Sequence, residues 1–388
     1  MRERVTVFDT TLRDGEQAAG VFFPTRAKVE IAELLDAMSV DVIEAGFPTS
    51  SAGERASVAA VATHVRNACV CALTRAFPDE VDATWSAIAH AREPRLHVFL
   101  SSSEIHLAHQ LRRGADEVVE MARAAVARAA SHTSNVEFSC MDATRSDPEF
   151  VARVVRAALA AGATTINLPD TVGWARPDQV IDLFRAVFAR VPELAGAVAS
   201  FHGQDDLGMA TANSLAAVAA GARQVELAVN GLGERAGNTA FEEVVMALRV
   251  HGAELGVDTG VDTRGIWAVS QAVARHSGVS VPANKAIVGR NAFRHASGIH
   301  QDGVLKRRDT YEAIDPAEIG HPTGTEIVLG KLSGRHGFVS RARALGIDLD
   351  GPALDRAFAR FQQLADERGE VGDAEVAELC REPAATAA

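Results

Sequence analysis

RLHVFLSSSEIHLAHQLRRGADEVVEMARAAVARAASHTSNVEFSC, residues 95–140, sets two β-rich runs on either side of an amphipathic stretch of helical period that covers 115–130. A strand, a crossover helix and a second strand make a unit in which the two strands lie parallel. The same alternation extends in both directions. Further runs are VTVFDTTL from Val5, VDVIEAGF from Val40, ACVCALTR from Ala68, TTINLPD from Thr164, AVASFHG from Ala197 and QVELAVN from Gln224. Helical patterns at 27–38, 177–191 and 213–222 lie between them. Eight βα units in about 250 residues predict an α/β fold, a closed (β/α)8 TIM barrel, better than an open doubly wound sheet.

Beyond about residue 255 the alternation stops. Residues 265–278 and 352–380 read as helix, and 280–340 is rich in Gly, His, Lys and Arg. The expected division is a barrel over 1–260, a lid or linker over 261–340 and a small helical C-terminal part over 341–388. The Ala-rich end, REPAATAA, reads as frayed.

The chain has 388 residues, 47% of them hydrophobic, and a net charge of −12. That acidic balance argues against a broad nucleic-acid surface, because little would neutralise a phosphate backbone. The start, MRERVTVFDTTLRDG, contains no apolar leader, and no stretch approaches the length of a membrane span. A cytoplasmic protein is expected. The cysteines, Cys69, Cys71, Cys140 and Cys380, have neither zinc-site spacing nor disulfide density, so buried reduced thiols are predicted.

Polar residues gather where the runs end: Asp9, Arg13 and Asp14; Glu44; His97 and Ser101; Ser139 and Asp142; Asn167 and Asp170; His202 and Gln204; Asn230. In a barrel these positions converge on one mouth. Asp14, His202, Gln204 and Asn238 could supply the mixed oxygen and nitrogen set that a divalent cation takes. They could equally be a strand-end salt bridge and a helix cap. GLGERA, residues 231–236, matches a dinucleotide fingerprint, but it follows the eighth strand and not the first. GTEIVLGKLSGR lacks the Walker spacing, since Leu332 stands where a magnesium-binding hydroxyl belongs.

The tracts DTTLRDGEQ, VIEAGFP, TINLPDTVG, DDLGMATANSLAAVAAGARQVE, NGLGERAGN, NKAIVGRNAF, SGIHQDGVLK and GKLSGR together resemble the 2-isopropylmalate synthase and homocitrate synthase family, the DRE-TIM metallolyases. The resemblance implies an acyltransferase performing a Claisen condensation. Acetyl-CoA is deprotonated, its enolate attacks the carbonyl of a 2-oxo acid held by a divalent metal, and the thioester is hydrolysed to free CoA. It further implies metal ligands at Asp14, His202 and Asn238; Gln204 is expected to complete the set, with Mg2+ or Mn2+ favoured and Zn2+ a third option. Catalytic roles fall to Arg13, His300 and Tyr311, the last being the single tyrosine of the chain. Substrate-binding roles fall to Gln17, His97, Ser139, Met141, Asn167 and Thr171. The 261–340 segment is expected to serve a partner's active site, hence a homodimer, with no nucleic-acid or membrane partner. The family's large regulatory domain is not found in these 388 residues, so feedback by leucine is not expected.

Two departures stand out. The family commonly carries His-x-His where this chain reads His202, Gly203, Gln204. An amide oxygen is a harder and less basic ligand than imidazole, which tilts the site toward Mg2+ or Mn2+ and weakens it. Asp205 could substitute, though strand alternation turns it outward. In FSCMDATR, Met141 takes the place of a glutamate, which is expected to deprive Arg13 of an orienting carboxylate. Near runs four to six stand His97, Ser101, Ser139, Met141, Asn167 and Thr171, none of them a Lys or Arg, favouring an acceptor with an uncharged side chain and the 2-isopropylmalate branch. Homocitrate synthesis, a specialised relative using a phosphonate- or aryl-bearing acid, and a catalytically silent dimeric barrel are the alternatives.

Overall fold

The computed structural model describes residues 2–381. The predicted fraying of REPAATAA, beyond its first residue Arg381, lies outside the described residues. Eight parallel strands close into a barrel: β1 (Thr6–Asp9), β2 (Val42–Glu44), β3 (Cys69–Arg75), β4 (Pro94–Ser101), β5 (Val136–Met141), β6 (Thr165–Asn167), β7 (Val198–His202) and β8 (Gln224–Leu227). β8 returns to pair with β1, Val7 opposite Val225, which completes the ring. All eight runs read from the sequence are strands of this barrel.

Each strand leads into a crossover helix, beginning with α1 (Thr25–Ala37), α2 (Ala52–His64), α3 (Pro78–Ile88) and α4 (Ala115–Ala130). The others are α5 (Pro148–Ala160), α6 (Pro177–Arg190), α7 (Ala210–Ala219) and α8 (Phe241–Leu255). α4 shows why the pattern reads as helix: Val118, Ala122, Ala125, Val126 and Ala129 form one buried stripe at helical spacing. β3 is buried at Cys69 through Thr74, as a parallel strand covered on both faces should be. Cys69, Cys71, Cys140 and Cys380 are all buried free thiols, and burial pushes Cys69 up to about 11.

The interior of the barrel departs from the usual Val, Ile and Leu filling. Arg95, Glu137, Ser200 and Gln224, near the starts of their strands, form a polar layer. Arg95 donates to Glu137 at 3.1 Å and to Gln224 at 2.7 Å, and Gln224 donates to Ser200 at 3.0 Å. Side chains of a strand return to the same face every second residue. Two positions on lie His97, Ser139, His202 and Glu226; two further lie Phe99, Met141 and Gln204. The functional groups therefore climb the inner wall in register.

The chain divides into two compact units between Val281 and Pro282, against the boundaries expected near 260 and 340. The helix Ile266–Ser277 belongs with the barrel: Asn230 and Ser270 exchange hydrogen bonds of 3.0 and 2.6 Å, and Arg275 and His276 both reach Glu30. In the second unit Leu329, Phe338, Phe361 and Val376 share one core, so residues on both sides of 340 pack together. Among the described residues no helix is long and apolar enough to cross a membrane.

Candidate active site

Arg13 and Asp14 lie in the turn after β1, where the N–H groups of both residues donate to the Thr10 carbonyl. Arg13 donates from Nε to Glu44 at 2.6 Å and from Nη1 to Asp14 at 2.8 Å. The Met141 substitution therefore does not leave Arg13 unoriented, contrary to expectation, because Glu44 of β2 and its own neighbour hold it. Burial works against all three charges. The mutual attraction overcomes it, so Asp14 and Glu44 stay ionised below the usual carboxylate range.

His202 ends β7, with Nδ1 3.0 Å from Glu226 Oε2 and Nε2 3.7 Å from Asp14 Oδ2. A carboxylate on Nδ1 keeps the proton there and turns Nε2 toward Asp14, the arrangement found behind metal-bound histidines. Gln204 lies beside both, its amide nitrogen 3.3 Å from Asp14 and 3.1 Å from His202 Nε2. Backbone pairing joins Gln204 to Asn238. Gln204 Oε1 and Asn238 Oδ1 are buried carbonyl oxygens with no hydrogen-bond partner. A carboxylate, an imidazole nitrogen and the amides of Gln204 and Asn238, whose oxygens are left without partners, are residue types that suit a hard divalent cation.

The glycines of residues 231–238 make this possible. A Cβ on Gly233 would overlap the Asn238 amide, and Gly237 (φ +103°) would collide with the Gly231 carbonyl. The N–H of Glu234 donates to Asp14 at 3.3 Å. This tract wraps the carboxylate and is not a dinucleotide loop. Asp205 turns one carboxylate oxygen to the N–H of Ala210 at the start of α7.

A cavity of about 490 Å³ opens above these groups. Arg13, Asp14, His202 and Gln204 line it together with Gln17, His97, Ser139, Met141, Asn167 and Thr171. His97 donates to Glu44 at 2.8 Å and meets Ser139 Oγ at 2.7 Å, and Ser139 also accepts from Asn167 at 2.8 Å. Burial opposes the imidazolium, yet Glu137 and Glu44 outweigh it and raise His97 to about 9. Donor atoms of His97, Glu137 and Glu226 lie within 4.8 Å of one another, with the imidazolium supplying the positive charge. Several strand-end groups stay outside the cavity. Asp9 binds the Thr11 N–H and hydroxyl, Asp142 pairs with Arg145, and Asp170 accepts from Thr144, Trp174 and Ala175.

His300 and Tyr311 belong to the second unit, where their rings stack at 4.0 Å. Gly303 allows this, because a side chain there would overlap the tyrosine ring. The basic residues near them are engaged: Lys306 with Asp302, Arg307 with Asp309, Arg308 with Asp315, and Lys331 with Asp366.

Residues 4–273 match the HMGL-like family, and residues 287–369 match the homocitrate synthase post-HMGL domain-like family. The chain is 48% identical to the 2-isopropylmalate synthase of Rhodopirellula baltica over 98% of its own length and 72% of that protein. Against the 2-isopropylmalate synthase of Carboxydothermus hydrogenoformans it is 49% identical, covering 98% and 74%. This chain belongs to the 2-isopropylmalate synthase family. In fold it is similar to the HMG-CoA lyase of Pseudomonas aeruginosa, with 24% identity, a TM-score of 0.62, and 72% of this chain and 95% of that one covered.

Measured against what the family resemblance implied, the barrel gathers Arg13, Asp14, His202, Gln204 and Asn238 in one place and lines the cavity with all six expected substrate-binding residues. Sequence reading missed Glu44 and Glu226 as the groups that orient Arg13 and His202. It also missed Phe47, Leu73, Phe99, His106, Gln110 and Arg235 in the cavity wall. The two-residue step along a strand, from Gln224 to Glu226 or from His97 to Phe99, was the available signal.

Proposed function

We propose that this chain condenses acetyl-CoA with a 2-oxo acid bearing an uncharged side chain, releasing CoA and a 2-alkylmalate-type product. The observation that supports it most is the meeting of Asp14 and His202 at 3.7 Å beside Gln204 and a clamped arginine, all on one cavity. Asp14, His202, Gln204 and Asn238 would hold a divalent cation, Mg2+ or Mn2+. Such a cation, when bound, would polarise the carbonyl of the oxo acid.

The protein's own groups account for the rest. Arg13 keeps a fixed positive charge in a nearly dry site, where it favours the oxygen charge that develops as the thioester becomes an enolate. Ser139, Asn167 and Thr171 offer hydroxyl and amide groups to the oxo acid. Phe47, Leu73, Phe99 and Met141 give its side chain an apolar wall. Of the two arginines on the cavity, Arg13 is held by carboxylates and Arg235 by Asp206 at 2.8 and 2.9 Å, which disfavours a dicarboxylic acceptor such as homocitrate synthesis needs. His300 and Tyr311 are the candidates for proton transfer, imidazole as base and phenol as donor. A homodimer, as the family resemblance implies, would use them between subunits.

The test is to incubate the protein with acetyl-CoA, a panel of 2-oxo acids and Mg2+ or Mn2+, and to follow free thiol. Release that needs both acceptor and metal, with apolar acceptors ahead of dicarboxylic ones, is the expected result. No thiol with any acceptor would favour the silent barrel. Mixing Asp14→Asn with His300→Gln protein should restore part of the activity if the two residues act across a dimer.

A further inference from the structure

Arg235, in the loop after β8, has a φ of +58°. An arginine in that left-handed region is uncommon and persists only where its surroundings hold it there. Three hydrogen bonds do so. Nε and Nη2 donate to the two carboxylate oxygens of Asp206, in the loop after β7, at 2.9 and 2.8 Å, and Nη2 also donates to the carbonyl of Thr171, in the loop after β6, at 2.8 Å. One side chain thus joins three loops that rim the cavity. Gly173 lets two of them come this close, because a Cβ there would lie 2.5 Å from the Asp206 nitrogen.

Thr171 is gripped from its other end as well. Its hydroxyl oxygen accepts from the N–H of Asp142 at 2.9 Å, and Asp142 is itself left-handed, at φ +68°, with its carboxylate paired to Arg145 at 2.7 and 2.8 Å. A hydroxyl whose oxygen accepts in this way keeps its proton to donate, and Thr171 lines the cavity. Two residues in an uncommon backbone conformation therefore fix one threonine, Asp142 at the hydroxyl and Arg235 at the main-chain carbonyl.

We propose that Arg235 is a positioning residue for the oxo acid: steered by Asp206, it fixes the Thr171 carbonyl and so aims the Thr171 hydroxyl at the bound acceptor. The inference rests on the condensation reading above, which places Thr171 against the oxo acid. Folding alone gives the ion pair little reason to be there. The side chains of Arg235 and Asp206 are 40% and 26% exposed, and a pair that open to water adds little stability. The neighbouring Glu234 N–H reaches Asp14 at 3.3 Å, so metal affinity reports separately whether the whole loop has moved.

The test is a double-mutant cycle on Arg235→Gln and Thr171→Val. Steady-state kinetics are measured for the best acceptor of the panel and for acetyl-CoA, and acceptor affinity by calorimetry with Mg2+ and no acetyl-CoA. Arg235→Gln should raise the acceptor KM and Kd roughly tenfold, the effect of about one lost hydrogen bond, with kcat and the acetyl-CoA KM within about threefold of wild type. Thr171→Val should do the same. The double variant should be no worse than Thr171→Val alone, because the arginine acts only through the threonine. Asp206→Asn, which loosens the arginine, should give a smaller rise in the same constants and takes its place in the cycle if Arg235→Gln fails to fold. Additive losses would overturn the proposal, since Arg235 would then act on the acceptor without Thr171. So would unchanged acceptor affinity in Arg235→Gln, or a Mn2+ affinity that falls as far as the acceptor affinity, which would make the arginine a brace for the ligand loop. Wild-type protein that binds an acid of the panel and releases no thiol would sink the condensation reading alone, the cycle then being judged by calorimetry. Wild-type protein that binds none of the acids would sink both.

Discussion

Glu226 Oε2 lies 3.0 Å from Nδ1 of His202, and this contact decides which ring nitrogen faces Asp14. The two residues come from adjacent strands, with His202 in register opposite Glu226. The orientation of a ligand candidate is thus set by the barrel itself and not by a mobile loop.

Replacing Glu226 by Gln keeps the shape and removes the charge that makes His202 a stronger donor. Affinity for Mn2+, followed by electron paramagnetic resonance during titration, should fall by roughly 10-fold or more. Unaltered affinity would mean that His202 does not ligate the ion.

Gln204→His adds an imidazole next to His202. Zn2+ binding should strengthen by more than Mg2+ binding, since imidazole suits zinc and an amide oxygen suits the harder ion. Competition against a chromophoric chelator reads the ratio. An unchanged ratio would place residue 204 outside the coordination sphere.

Lys28 is fully buried between Glu16 at 2.6 Å and Glu54 at 2.7 Å, so Lys28→Met leaves the two carboxylates with no cation between them. The loss should be about 3 kcal/mol of stability, read from urea denaturation. Lys28→Arg should recover part of it.

The metal-free protein should lose stability as pH rises from 6.5 toward 9. His97 is held at about 9 in the fold, above the 6.5 of a free imidazole, so its contribution is complete below 6.5 and disappears as the pH passes through 9. Asp9, which burial raises to about 7, and Glu137, raised by burial in the same direction, lose their contributions at lower pH, between the free carboxylate range and 7. A scan of Tm against pH should show the upper decline in wild type and a much flatter one in His97→Gln. Equal slopes would remove the imidazolium from the barrel interior.

Much of this molecule is legible in the amino-acid order. All eight strands and helices such as Ala115–Ala130 follow from hydrophobic periodicity, because a side chain's direction repeats every two residues in a strand and every 3.6 in a helix. The candidate ligands were legible as polar residues at strand ends. The division near residue 281 was not, because helix Ile266–Ser277 looks the same whether it packs on the barrel or apart from it. The contacts of Ser270 and Arg275 settle the matter.

What the sequence by itself determined is local: which segments pair, which faces are apolar, and which residue types stand at the mouth of the barrel. What the tertiary structure decided is who meets whom. Arg13 takes Glu44 as partner from 31 positions away, and Asp14 stands beside His202 and Gln204 only once the barrel has closed β8 against β1. Coulomb and hydrogen-bond energies depend on separation in space, and ring closure is the step that turns distant positions in the chain into neighbours.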